Sequence, residues 1–258
     1  MKPFHPEHAS NNLITFIRST FKEAGFTDAV IAVSGGIDSA VSCTLAVKAL
    51  GADHVFPLFL PYGALNKQGV EDASLVTTFL KIPDDHIQTV SIQPMVDQIT
   101  QYDATISPLR KGNIMARMRM IILYDQAKKR KALVVGTENK TEHLLGYFTR
   151  FGDEASDVEP LRNLYKTQVY EVANYLQIPN PLITKAPTAG LWEGQTDEEE
   201  FGFSYKEADE ILSMAVDEGN TAEEIGKMIH KGNIVGKVLD LMKRNGFKQT
   251  LPFISQIK

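Results

Sequence analysis

Short apolar runs alternate with stretches of helical periodicity through the first half of the chain, and that alternation leaves few folds open. Ala29–Val33, His54–Leu60, His86–Ile92 and Ala132–Gly136 read as buried strands, and Ile37–Leu50, Val70–Leu80 and a stretch from about Asn113 to Arg130 read as helices. Strands separated by helices are joined by right-handed crossovers, so they pair in parallel and are covered on both sides. The expected architecture is α/β, a doubly wound, mostly parallel sheet with helices on both faces. Ligands of such sheets sit beyond the carboxyl ends of the strands.

At the end of the first strand stands Ile31-Ala32-Val33-Ser34-Gly35-Gly36-Ile37-Asp38-Ser39. Gly35 and Gly36 lack Cβ, so the backbone can turn sharply and bring its N–H groups close to a ligand. The helix that follows adds unpaired N–H groups and a positive dipole end, which suits an anion such as phosphate. Ser34 and Ser39 can add hydroxyl donors. A bare Asp38 carboxylate would repel phosphate unless Mg²⁺ joined the two. No lysine follows the glycines, so this is not a Walker loop and the positive charge must come from elsewhere.

Further candidates lie downstream. Leu60-Pro61-Tyr62-Gly63 leaves the second strand at the ligand edge and is a candidate wall for a nucleotide base. Arg117 and Arg119 lie about 200° apart on a helix, so at most one of them faces a given site. The methionines beside them read as core filler. The exit of the Ala132–Gly136 strand brings Glu142 to the same edge as the glycine turn, where it can complete a metal shell with Asp38 if the two strand ends are neighbours. The loop from Gly146 to Asp157 mixes aromatic and charged residues, a composition more common in functional loops. Lys166 opens a helix, where a cation opposes the dipole unless an anion is bound there, so it is a phosphate-ligand candidate. Residues 185–198 are polar, proline-punctuated and aperiodic, carry the only tryptophan, and suggest a mobile flap. Tyr205 to Arg244 is helical by pattern.

Composition narrows the class. The net charge is -5, against a general nucleic-acid binder. The single cysteine, Cys43, rules out an intrachain disulfide framework or multi-cysteine zinc site and reads as a buried thiol. No apolar run approaches a membrane span and the first residues carry no signal-peptide core, so the cytoplasm is expected, and residues 1–258 are read as one domain.

Ser34-Gly35-Gly36-Ile37-Asp38-Ser39 resembles the SGGxDS loop of the N-type ATP pyrophosphatases. Gly112-Asn113 with Ala116 to Met120, Gly136-Thr137, Gly146 to Thr149 with Gly152-Asp153, Leu164-Tyr165-Lys166, Lys185 to Thr188 and Gly194 to Glu198 narrow the resemblance to ammonia-dependent NAD synthetases. That resemblance implies an adenine nucleotide alpha hydrolase-like, Rossmann-like fold. It also implies ATP-dependent conversion of deamido-NAD to NAD with free ammonia through an acyl-adenylate, releasing AMP and pyrophosphate.

By the family pattern, Ala32, Val33, Ser34, Gly35, Gly36, Ile37, Asp38 and Ser39 with Thr137, Lys166 and Thr188 take ATP, and Asp38 and Glu142 take Mg²⁺. Arg117, Arg150, Asp157, Phe247 and Lys248 fall on the deamido-substrate side, and Asp153 matches the ammonium position. Asp38, Asp153 and Lys166 form the catalytic set. Arg150 stands where the family usually has lysine, and Phe247-Lys248 where it usually has His-Lys. Both departures leave nicotinate mononucleotide open as the substrate. The length leaves no room for a glutaminase domain, and relatives of this kind are homodimers. Other N-type pyrophosphatases, tRNA-thiolating or GMP-synthetase-like, and a regulator that has lost turnover are the alternatives.

Overall fold

The computed structural model describes residues 3–229, 232–250 and 255. Its strands are Ala29–Ala32 (β1), Val55–Phe59 (β2), Gln88–Thr89 (β3) and Leu133–Val135 (β4), all parallel and ordered β3-β2-β1-β4. Ala29 lies opposite Val55 on one side and Leu133 on the other. The order reverses at the β1/β4 pair, which opens a crevice beyond their carboxyl ends.

The helices form layers on both sides of the sheet. Helices α1 (Pro6–Ala24), α2 (Ile37–Leu50) and α3 (Lys67–Phe79) cover one face, with Ile17, Phe21, Val41, Leu45 and Val76 in its core. Helices α4 (Gln93–Thr100) and α5 (Pro108–Arg130) cover the other, where Val96, Met115 and Leu123 pack on Val30, Leu58 and Val134. Helix α6 (Lys140–Leu145) follows β4, and α7 (Lys166–Tyr175) returns to the first face through Val169 and Val172. Short helices α8 (Asn180–Thr184) and α9 (Asp197–Phe201) precede α10 (Tyr205–Leu212), α11 (Ala222–Ile229) and α12 (Gly232–Asn245). With α6, these last helices bury a third core around Leu145, Ile211, Ile225 and Val238.

Several elements depart from the sequence reading. The third strand contracts to Gln88–Thr89 because it lies at the edge and turns into a helix at Gln93, although Val90 and Ile92 still donate to Phe59 and Pro61 carbonyls. Helix α5 begins at Pro108, capped by Ser107, which accepts from Arg110 N–H. Gly112 and Asn113 had marked a later start. The polar exit after β4 is helical, with Asn139 as the N-cap of α6. The C-terminal helical stretch breaks into α10, a π-turn over Ser213–Asp217, α11 and α12, and its residues 230–231 lie outside the described residues. Cys43 is buried as expected, and burial pushes its thiol up to about 12. Among the described residues no helix is long and apolar enough to cross a membrane.

Candidate functional site

A cleft of about 520 Å³ opens at the carboxyl ends of β1, β2 and β4. That volume suits a small-molecule ligand. Its floor is the turn after β1. Gly35 adopts φ +80°, and a Cβ there would lie 2.7 Å from Asp72 Cβ, so both conformation and space demand glycine. Gly36 caps α2 without any side-chain hydrogen bond to the first helical N–H groups. Those donors and the dipole end can seat an anion. The serine hydroxyls brace the turn itself: Ser39 Oγ accepts from Ser34 N–H at 3.2 Å and donates to Gly36 O at 2.9 Å, and Ser34 Oγ accepts from Gly36 N–H at 3.3 Å.

Three charged groups from three helices converge beside this turn. Lys166 Nζ lies 2.5 Å from Asp38 Oδ2 and 3.0 Å from Glu142 Oε1, with its side chain only 3% exposed. Asn139 holds the arrangement together, its Oδ1 accepting from Glu142 N–H and its Nδ2 donating to Asp38 Oδ1 at 2.9 Å. Thr141 Oγ1 accepts the Lys166 N–H, while buried Asp209 accepts from Thr141 Oγ1 and Thr167 N–H and so secures the start of α7. Burial opposes the Lys166 charge, but the Asp38 and Glu142 carboxylates outweigh it and hold the ammonium above its ordinary value. Burial raises the Glu142 carboxyl, and Lys166 only partly offsets it. The anions that reconcile Lys166 with the α7 dipole are therefore the protein's own side chains.

Two carboxylates do not close a metal cage, and among the described residues no set of three His, Cys, Asp or Glu does so. Hard oxygen donors at the mouth of an anion seat suit Mg²⁺, which keeps water and phosphate oxygens as its other ligands. The donor chemistry of Asp38 and Glu142 fits that ion.

The cleft walls gather other expected residues. Thr137, Asp153 and Thr188 line it. Asp153 Oδ1 accepts from Thr149 N–H at 2.8 Å. It is hemmed in by protein yet open to the cleft, and the crowding raises its carboxyl above the usual range. Residues 185–198 lie across the mouth, with Trp192 in the lining.

Other expected residues lie outside the lining. Arg117 is exposed and donates to Arg150 O, Arg150 donates to Thr250 O, and Lys248 donates to Gly146 O and Phe148 O. These cations gather on the outer side of the 146–152 loop, whose inner side walls the cleft. Phe247 is exposed nearby, and Asp157 accepts Val134 N–H beside β4.

Some lining residues escaped the sequence reading. Arg119 faces the cleft, donating to Leu60 O at 3.0 Å and to Asn66 Oδ1 at 3.1 Å, and burial lowers it to about 10. The angular argument allowed one arginine inward without saying which. Met120 also lines the cleft rather than filling core. Glu138 is buried beside Arg162 Nη2 at 2.7 Å, and burial pushes its carboxyl up to about 9. Arg162 in turn holds the His143 ring, lowered to about 4 by burial and that cation. A Glu in a polar run gives no sequence signal of such burial.

Residues 9–252 match the NAD synthase family. An NH(3)-dependent NAD(+) synthetase from Fusobacterium nucleatum subsp. nucleatum is 44% identical over 248 residues, 96% of this chain and 95% of the relative. Among solved structures, an NMN synthetase from Francisella tularensis superposes with a TM-score of 0.86 at 35% identity, covering 99% of this chain and 100% of the other. An NH3-dependent NAD synthetase from Campylobacter jejuni subsp. jejuni, solved with nitrate ion, gives 0.82 at 30% identity over 98% and 100%.

Proposed function

The chain belongs to the NAD synthase family, and we propose that its cleft amidates deamido-NAD to NAD with ATP and free ammonia, releasing AMP and pyrophosphate. What carries this is Lys166, a buried ammonium held between Asp38 and Glu142 at the edge of an uncapped helix N-terminus. A carboxylate does not react with ammonia directly. One of its oxygens must first bond to the α-phosphorus of ATP, breaking the bond to pyrophosphate. Ammonia nitrogen then bonds to the acyl carbon and AMP leaves.

The N–H groups of Ile37 and its neighbours hold the departing pyrophosphate. Lys166 faces the charge that develops there, a fixed electrostatic contribution to the transition state. Mg²⁺, held by Asp38 and Glu142, would supply further neutralisation of phosphate oxygens. Asp153 attracts ammonium and accepts the proton it must lose before attack. Arg119 presents a second cation to the same cleft.

On the same reading the enzyme is a cytoplasmic homodimer. Exposed Leu109 and Ile121 on α5 are apolar side chains that a second copy can cover. A second substrate reading has a specific support: the likeness to an NMN synthetase, together with Arg150 and Phe247 on the substrate side, favours testing nicotinate mononucleotide alongside deamido-NAD. Purified protein is incubated with ATP, Mg²⁺, ammonium and either substrate. Equal amounts of AMP and amide are expected with at least one of them, and absence of AMP with both defeats the proposal.

A further inference from the structure

Several bonds of the segment across the cleft mouth converge on one buried carboxylate. Asp197, 4% exposed, accepts from Tyr205 OH at 2.8 Å on Oδ2 and from Tyr147 OH and Ala189 N–H, both at 3.1 Å, on Oδ1. Its own N–H donates to Pro187 O, so one residue staples both ends of the flap to the two tyrosines. Other contacts also hold the segment. Lys185 Nζ lies 2.6 Å from Asp72 Oδ2, and Glu198 Oε1 accepts the Tyr205 N–H at 2.8 Å. Gln195 Nε2 donates to Glu200 Oε2 at 3.1 Å, and the Tyr147 hydroxyl that Asp197 shares stands 2.9 Å from that same Glu200 oxygen. Asn66 Nδ2 donates to Gly190 O, and Leu191 rests on Gly112, where a Cβ would come within 2.8 Å of Leu191 Cδ1.

Tyr205 faces two ways. Its hydroxyl stands 3.4 Å from Glu142 Oε1 as well as 2.8 Å from Asp197, and its ring lies 4.9 Å from Lys166 Nζ. Whatever frees Tyr205 from Asp197 leaves its single hydroxyl proton to Glu142, so the flap and the charged cluster share one donor.

We propose that Asp197 is a positioning residue that latches the 185–198 flap over the cleft and, by engaging the Tyr205 hydroxyl, leaves Glu142 free of it to pair with Lys166. This rests on the nucleotide-dependent reading of the cleft. Asp197 itself touches none of the Asp38–Lys166–Glu142 trio by hydrogen bond. Its effect is transmitted through Tyr205.

Trp192 is the chain's only tryptophan and lies in the flap, so its emission reports flap position without any substrate. Asp197→Asn is expected to red-shift that emission in the ligand-free protein and speed protease nicking within 185–198. It is also expected to raise the KM for ATP roughly tenfold, the size of one lost hydrogen bond to a charged group. Tyr147→Phe, a milder change, is expected to move the same readouts less and in the same direction. Tyr205→Phe should lower kcat more than it raises KM, and combining it with Asp197→Asn should give less than the product of the single effects. Unchanged emission and nicking in both Asp197→Asn and Tyr147→Phe overturn the latch, as does strict multiplicativity in the double variant. If the wild-type protein turns over neither substrate, the amidation reading fails, while emission and nicking still decide the latch.

Discussion

The Lys166 ammonium rests 2.5 Å from the Asp38 carboxylate across 128 residues of chain, and Glu142 Oε1 lies 3.0 Å from the same nitrogen. The sheet order explains the meeting. β1 and β4 are neighbours, so the helices that leave their carboxyl ends, α2 and α6, present one acid each to the same point. Both acids serve Lys166 in this arrangement, so Mg²⁺ must compete with Lys166 for the acids, and phosphate must compete with the acids for Lys166.

Lys166→Met removes the cation and leaves Asp38 beside a Glu142 already raised by burial, so that carboxyl takes up a proton rather than standing charged. A folded protein with kcat lower by about 10²–10³-fold is expected, from loss of a preorganised charge at the leaving group. Steady-state kinetics alongside circular dichroism check both halves.

Asp153→Asn keeps the acceptor for Thr149 N–H and removes the anion. The KM for ammonium should rise by tenfold or more while the KM for ATP changes less than about twofold. Equal changes in both would place Asp153 in nucleotide binding instead.

Glu138 gives a pH prediction. Its carboxyl stands at about 9 in the folded chain against an ordinary 4.5, so the native state binds the extra proton between those values. Its contribution to stability is present below the unfolded value and is lost as pH rises through the folded one. Glu138→Gln should therefore flatten the fall in Tm from about pH 5 to pH 9. A variant whose Tm falls as steeply as the wild type's contradicts this.

Gly112→Ala places a methyl group against Leu191, the flexible end of a flap contact. A raised KM for ATP, with kcat and Tm little changed, is expected from kinetics and thermal unfolding, since the side chain can yield but the flap seats less well.

What was legible in the sequence was what local chemistry dictates. Alternating apolar runs foretold the sheet and its layers, and the glycine turn with Asp38 lies in the cleft at the carboxyl end of the first strand, as expected. Family pattern brought Glu142 and Lys166 to the same site, and the structure joins them. What was not legible depends on the third dimension. Whether Arg117 or Arg119 turns inward is set by how α5 lies on the sheet, and the outward Arg117 bonds to Arg150 O instead. Asp197 sits in a polar stretch that reads as a mobile flap, yet Tyr147, 50 residues away, and Tyr205 enclose it. The start of α5 was hidden because Gly112 looks like a breaker, whereas its role is to admit Leu191.

The central claim is that the substrate carboxylate attacks the α-phosphate in this cleft before nitrogen arrives. Substrate labelled with ¹⁸O in both carboxylate oxygens, turned over with ATP and ammonium, tests it directly by mass spectrometry of the AMP. One ¹⁸O in each AMP released is the expected result, and AMP free of label would contradict the acyl-adenylate route.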